Sequence, residues 1–176
     1  MPHESSNNRT QRKRMNEVPE ANHRQRAAAA QGWLQSKWKC VMKITVETTI
    51  AAPIEKVWHV YTTPEEIMKW NAASDDWHTT KASVDLRIGG VFSFRMEAND
   101  NSSGFDFAGT YTNVVPNSLL EYSFGDRTAR VDFTPTKNGV NIKVVFDAEA
   151  NHSIEQQQNG WQAILNSFKR YIERHR

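Results

Sequence analysis

Between Lys43 and Asp147 apolar residues return at every second position in run after run, and beyond Asn151 the spacing changes to that of a helix. A chain patterned in this way builds a sheet first and one long helix last. The helix must bury its apolar stripe, and the only surface large enough to receive it is one face of that sheet.

The individual runs are explicit. Ile44, Val46, Thr48 and Ile50 alternate with Lys43, Thr45, Glu47 and Thr49, which predicts a half-buried strand. Ala51-Ala52-Pro53 then sets Pro at a first helical position, and Ile54, Val57, Trp58 and Tyr61 recur at helical spacing. Thr63-Pro64-Glu65-Glu66 reads as a capping box that opens a short helix ending near Trp70. From Trp77 to Asp147 an antiparallel meander is predicted. Val84, Leu86 and Ile88 lead into a tight Gly89-Gly90 turn, followed by Phe92, Phe94 and Met96 on one face. Phe105, Phe107, Gly109 and Tyr111 share the face of the next strand, and Leu120, Tyr122 and Phe124 that of its successor. Ala129, Val131 and Phe133 continue the alternation, and Asn138-Gly139 turns the chain into Val140, Ile142, Val144 and Phe146.

The closing stripe runs Ile154, Gln157, Trp161, Ile164, Leu165, Phe168, Tyr171 and Ile172, with Ser153 and Gln156 as its capping box. Gly160 inside it forfeits about 1 kcal/mol relative to Ala, and the expected reason is a close approach to the backbone beside Trp161.

Charge divides the chain in two. Of a formal net charge of +2, residues 1–41 hold +5, with eight Lys or Arg against Glu4, Glu17 and Glu20, so the remainder is mildly acidic at −3. We read residues 1–41 as a basic, flexible extension and residues 42–176 as the folded domain. An organelle presequence, or a nucleic-acid or anionic-surface arm built on the short Arg12-Lys13-Arg14 cluster, are weaker readings of the extension, and Met42 stands directly before the first strand. The lone Cys40 offers no disulfide framework and no zinc spacing, which fits a reducing, cytoplasmic setting. No stretch approaches the roughly 18 consecutive apolar residues of a membrane span, and no basic, aromatic-interleaved patch points to nucleic acid.

The order of elements gives an α+β fold in which a curved antiparallel sheet wraps one long C-terminal helix. Ala52-Pro53-Ile54-Glu55-Lys56-Val57-Trp58, Trp70-Asn71, Ala73 to His78, Asp85 to Gly90 and Gly160-Trp161 carry a resemblance at this point. From Met42 to about Arg174 the chain resembles the SRPBCC, or START-like, superfamily. More narrowly, it is similar to the branch related to the C-terminal domain of the heat-shock-protein-90 ATPase activator, common as small stand-alone bacterial proteins. The resemblance implies a helix-grip (START/Bet v-like) fold with a hydrophobic cavity between sheet and last helix. It implies no single activity, since relatives include lipid and hormone binders, polyketide cyclases, dioxygenase domains and co-chaperones.

For chemistry, Asp75, Asp76 and His78 are the sharpest polar constellation. Metal binding or proton transfer at His78 is weighed there against loop hydrogen bonding and shaping of a pocket rim, which suit so short a cluster better. His78 is therefore only a weak catalytic candidate, and neither a metal nor an organic cofactor is expected. The expected lining of the cavity is Trp70, Trp77, Phe92, Phe94, Met96, Phe105, Phe107, Tyr111, Tyr122, Trp161 and Leu165, with Tyr111, Tyr122 and the Trp161 indole as polar groups. Strand parity turns Arg95, Asp106, Asp132, Lys143 and Asp147 to the opposite face, which disfavours an enzyme. The expected activity is the binding of a small hydrophobic or aromatic molecule by a monomer or weak dimer. A cyclase- or hydrolase-like enzyme using the same cavity and a co-chaperone-like module with a chaperone partner are the alternatives.

Overall fold

The computed structural model describes residues 41–175, so the reading of the basic N-terminal extension lies outside the described residues. Strand β1 (Lys43–Ile50) is followed by helices α1 (Ile54–Thr62) and α2 (Pro64–Trp70). Six strands come next: β2 (Trp77–Val84), β3 (Val91–Ala98), β4 (Gly104–Val115), β5 (Leu119–Phe124), β6 (Arg127–Thr136) and β7 (Gly139–Asp147). Helix α3 (Ile154–Arg174) closes the chain. The seven strands form one antiparallel sheet in the order β1-β7-β6-β5-β4-β3-β2. This is the curved antiparallel sheet with a closing helix that the order of elements predicts, and the helix-grip architecture that the resemblance implies.

Parity holds where it matters. Ile44, Val46 and Ile50 of β1, Val131 and Phe133 of β6, and Val140, Ile142, Val144 and Phe146 of β7 are all buried in one core. Leu165, Phe168 and Ile172 of α3 close over it. Each such side chain contributes about 1.5–3 kcal/mol when removed from water, which is what fixes the helix to this face. Helix α3 lies against β1, at one edge of the sheet. Its N-terminus carries the anticipated capping box: the Ser153 hydroxyl accepts from the Gln156 amide at 3.1 Å, and the Gln156 side chain accepts from the Ser153 amide at 3.1 Å.

Four local expectations are corrected. The β2–β3 connection is a six-residue loop, not a two-residue turn, because β2 ends at Val84 and β3 begins at Val91. Its backbone pairs with β4 instead, Gly89 donating to the Tyr111 carbonyl at 2.8 Å and Tyr111 to the Gly90 carbonyl at 2.9 Å, and Ile88 is left 64% exposed. Thr63 makes no side-chain cap on α2; its hydroxyl pairs with the His59 ring at 3.2 Å, and Pro64 supplies the helix start. Pro53 is the residue before α1, not its first residue. Gly160, finally, has no close neighbour: a Cβ built there meets nothing within 4 Å. The close approach expected beside Trp161 does not exist.

Candidate functional site

Because α3 rests near the β1 edge, strands β5, β4 and β3 face it across a gap, and a cavity of about 370 Å³ remains there. Its floor is the inward face of the meander: Phe92, Phe94 and Met96 of β3, Phe105, Phe107 and Tyr111 of β4, and Leu120 and Tyr122 of β5. Trp161, Ile164 and Leu165 of α3 form the roof. The side wall comes from Tyr61, Ile67 and Trp70 on α1 and α2 and from Asn71, Ala73, Ser74 and Trp77 around the segment that enters β2. All eleven lining residues expected from the sequence are brought together. Phe105, 49% exposed and 5.7 Å from the Trp77 ring, marks the mouth.

The aromatic walls are held by their own contacts. Trp161 stacks on Phe146 with ring centroids 4.1 Å apart, and its edge faces Phe107 at 6.0 Å. Trp70 donates its indole N–H to the Val60 carbonyl at 3.1 Å and packs against Phe168 at 4.6 Å, so it serves as wall and not as a polar handle. Phe92 pairs across the ladder with Gly109, whose missing side chain leaves the space its ring occupies. A Cβ at Gly109 would come within 2.7 Å of that ring and 2.4 Å of the Ser123 carbonyl oxygen.

Polar groups inside are few and neutral. Tyr61, Tyr111 and Tyr122 belong to α1, β4 and β5, and their hydroxyls accept and donate no hydrogen bond among the described residues. Burial raises the pKa of all three, and the proximity of Tyr111 raises Tyr61 further, as Tyr61 and Tyr111 together do for Tyr122. These phenols therefore remain protonated at neutral pH. They donate hydrogen bonds and do not act as bases. Asn71 sits at the mouth, 8% exposed, its side-chain amide likewise without a partner among the described residues.

Ionised groups lie elsewhere. Arg95 pairs with Glu97 at 2.9 Å and Asp106 at 3.5 Å, and Arg130 with Asp132 at 2.6 Å and Glu121 at 2.9 Å. Asp147, facing outward as parity requires, is nonetheless buried, because Thr128 donates its amide and its hydroxyl at 2.7 Å each and the Lys43 ammonium closes the site. No Asp, Glu, Lys, Arg or His lines the cavity among the described residues. His78 is exposed, pairs across the ladder with Glu97 and borders a polar groove outside the mouth. Asp75 and Asp76 offer their backbone carbonyls to Asn99 at 2.6 and 2.8 Å, which makes this stretch a loop hydrogen-bond network. Among the described residues no three His, Cys, Asp or Glu side chains gather as a metal site.

Sequence reasoning missed Tyr61, Ile67, Asn71, Ala73, Ser74, Leu120, Val144 and Ile164. Tyr61, Leu120, Val144 and Ile164 stand on the correct apolar stripes, and only the gap between helix and sheet separates them from ordinary core. Asn71, Ala73 and Ser74 carry no periodic signal at all.

The model of a family described as activator of Hsp90 ATPase homolog 1-like protein matches residues 51–173. Among solved structures, the chain is similar to the AHSA1-like protein from Aeromonas hydrophila, with 46% identity, a TM-score of 0.73, and 76% of this chain and 94% of that one covered. It is similar also to Chr148 from Cytophaga hutchinsonii, with 51% identity, a TM-score of 0.66, and coverage of 76% and 93%. Protein NE0264 from Nitrosomonas europaea, 19% identical with a TM-score of 0.66 over 76% of this chain and 96% of that one, shares the fold. No curated protein matches.

Proposed function

The chain belongs to the activator of Hsp90 ATPase homolog 1-like family, and on that premise we propose that its cavity binds a small hydrophobic or aromatic molecule. The observation that carries this reading is the hollow itself: about 370 Å³ left open between α3 and the sheet, walled by aromatic rings. Close-packed interiors leave few voids larger than a water molecule, and ligand pockets begin near 300 Å³. At the ~30 Å³ share of a water, the space equals about a dozen waters, which suits a compact molecule of two or three rings.

Binding needs no metal or organic cofactor in this reading, and its affinity derives from apolar surface removed from water at about 25 cal/mol per Å². The enzyme alternative finds no general base in the cavity, since His78 is not among its lining residues and burial keeps the tyrosines protonated. A monomer or weak dimer in the cytoplasm goes with the proposal; no helix among the described residues is long and apolar enough to cross a membrane. The test is native mass spectrometry of the purified protein together with thermal-shift titration against a panel of aromatic and aliphatic molecules. A co-purifying small molecule or a saturable rise in midpoint is the expected result, and neither appearing would refute the reading.

The family description motivates a second reading, a co-chaperone-like module that touches an Hsp90 homologue. Stimulation of such a chaperone's ATPase by this protein, undiminished when the cavity is occupied, would favour it over ligand binding.

A further inference from the structure

Three tyrosine hydroxyls without partners among the described residues border a largely apolar hollow and constrain the chemistry of what fills it. Tyr111 and Tyr122 face each other across the β4–β5 ladder with ring centroids 6.3 Å apart, and they are only 5% and 7% exposed. Tyr61, on α1, borders the same cavity. No backbone or side-chain group among the described residues bonds these hydroxyls, and they open onto the cavity, where an acceptor or donor brought in from outside can complete them.

Charge supplies the second constraint. An ionised carboxylate placed in the cavity would shed its water with no cation to receive it, since no Lys, Arg or His lines it among the described residues and Lys69 and Arg170 border grooves outside it. Such an uncompensated burial costs several kcal/mol. A carbonyl or ether oxygen loses far less water and accepts from two phenolic O–H groups at once.

We infer that the ligand is an uncharged molecule of two or three rings whose inner end carries a hydrogen-bond-accepting oxygen, held by the hydroxyls of Tyr61, Tyr111 and Tyr122. This rests on the reading of the cavity as a binding site. The site excludes the carboxylate of the same skeleton and discriminates weakly among hydrocarbons, for which shape alone decides.

Three probes of matched size separate the terms: 2-acetylnaphthalene, a neutral ketone; 2-ethylnaphthalene, which has no acceptor; and 2-naphthoate, ionised at neutral pH. Each is titrated calorimetrically into the full chain and into Tyr111→Phe and Tyr122→Phe variants, which keep the ring volume. Wild type is expected to bind the ketone at least fivefold tighter than the hydrocarbon and the carboxylate weakest. Each Tyr→Phe change is expected to remove a factor of about 2–10 from ketone binding while leaving the hydrocarbon unchanged. Carboxylate binding equal to that of the ketone, or a ketone preference undiminished in both variants, would overturn the inference while leaving the binding reading intact. Carboxylate binding lost in Lys69→Ala would show an acid anchored at the mouth and would overturn it too. Failure of all three probes and of the wider panel would remove the binding reading itself.

Discussion

Replacing Tyr122 by Phe in the ligand-free protein tests the state of the cavity directly, because the fold contains its own control. Tyr171 on α3 donates its hydroxyl to the Glu66 carboxylate at 2.6 Å, joining the last helix to α2. Removing that hydroxyl breaks a bond to a charged group, which is worth about 1.5–3 kcal/mol when shielded. Glu66 keeps its contact with Lys69 at 3.0 Å and is partly solvated, so a loss of about 1–2 kcal/mol is expected for Tyr171→Phe. Tyr122 is the more deeply buried residue, and rank by burial would make it the costlier substitution. Its hydroxyl has no partner among the described residues, however, so Tyr122→Phe breaks no internal bond and removes a desolvated polar atom. The expected change lies between zero and a gain of roughly 1 kcal/mol. Urea unfolding followed by circular dichroism reads both: with m near 2 kcal/mol per M, Tyr171→Phe lowers the midpoint by about 0.5–1 M and Tyr122→Phe leaves it level or raises it. A fall for Tyr122→Phe as large as that for Tyr171→Phe would mean that the hydroxyl is satisfied within the fold, and the account of the cavity would fail.

Gly160→Ala is expected to stabilise the protein by about 1 kcal/mol, seen as a rise of a few degrees in thermal midpoint, since the new methyl meets open space inside a helix. Gly109→Ala should do the reverse, lowering the midpoint through its collision with the Phe92 ring and the Ser123 carbonyl, and it should weaken ligand binding by displacing that ring. Acid stability should depend on Asp147. Burial pushes its pKa up, but the Lys43 ammonium and the two Thr128 hydrogen bonds outweigh this and hold it below the usual 3.8. A carboxylate depressed on folding contributes stability that is fully present above its unfolded pKa and is lost as pH falls through the folded one. Unfolding free energies measured from pH 5 down to pH 2 should therefore drop less steeply in Asp147→Asn than in wild type.

The sheet was legible because a period of two leaves a strand only two choices of face, and the core then selects one. Phe92, Leu120, Val131 and Ile142 could be placed inward from their own neighbours, without knowledge of the rest of the chain. Leu86 and Ile88 show where this reasoning stops. They continue the alternation of β2 in sequence, yet the backbone beyond Val84 finds its hydrogen bonds in a loop paired to β4, and apolar spacing carries no information about that choice. Thr63 and Gly160 fail for a related reason. A capping pattern and a helical glycine each permit several environments, and the one realised depends on His59 in the first case and on empty space in the second. At the mouth Phe105 and Trp77 were legible, but Asn71, Ala73 and Ser74 were not, because they acquire their position only when α2 docks on β2.

The hollow and its neutrality have a common origin in the strand order. Helix α3 follows β7 by a short connection, and β7 pairs with β1, so the helix settles at that end, where Val, Ile and Phe side chains of β1, β6 and β7 fill the space beneath it. Strands β3 and β4 stand further along the curve, and even the rings of Phe92, Phe94 and Phe107 do not span the distance to Trp161 and Ile164 without leaving room. The same alternation that points these rings inward points Arg95, Asp106, Arg130 and Asp132 outward, where ion pairs form across strands, Arg95 with Asp106 and Arg130 with Glu121, and along one strand, Arg130 with Asp132. An inward charge on β3 or β4 would have faced a wide apolar gap with no partner, at a cost of several kcal/mol. Tyrosine resolves the conflict: its ring belongs to the wall, and its hydroxyl brings polarity to the interior without charge. Tyrosines from three separate elements therefore border one cavity, and it is there that the proposed ligand would complete their hydrogen bonds.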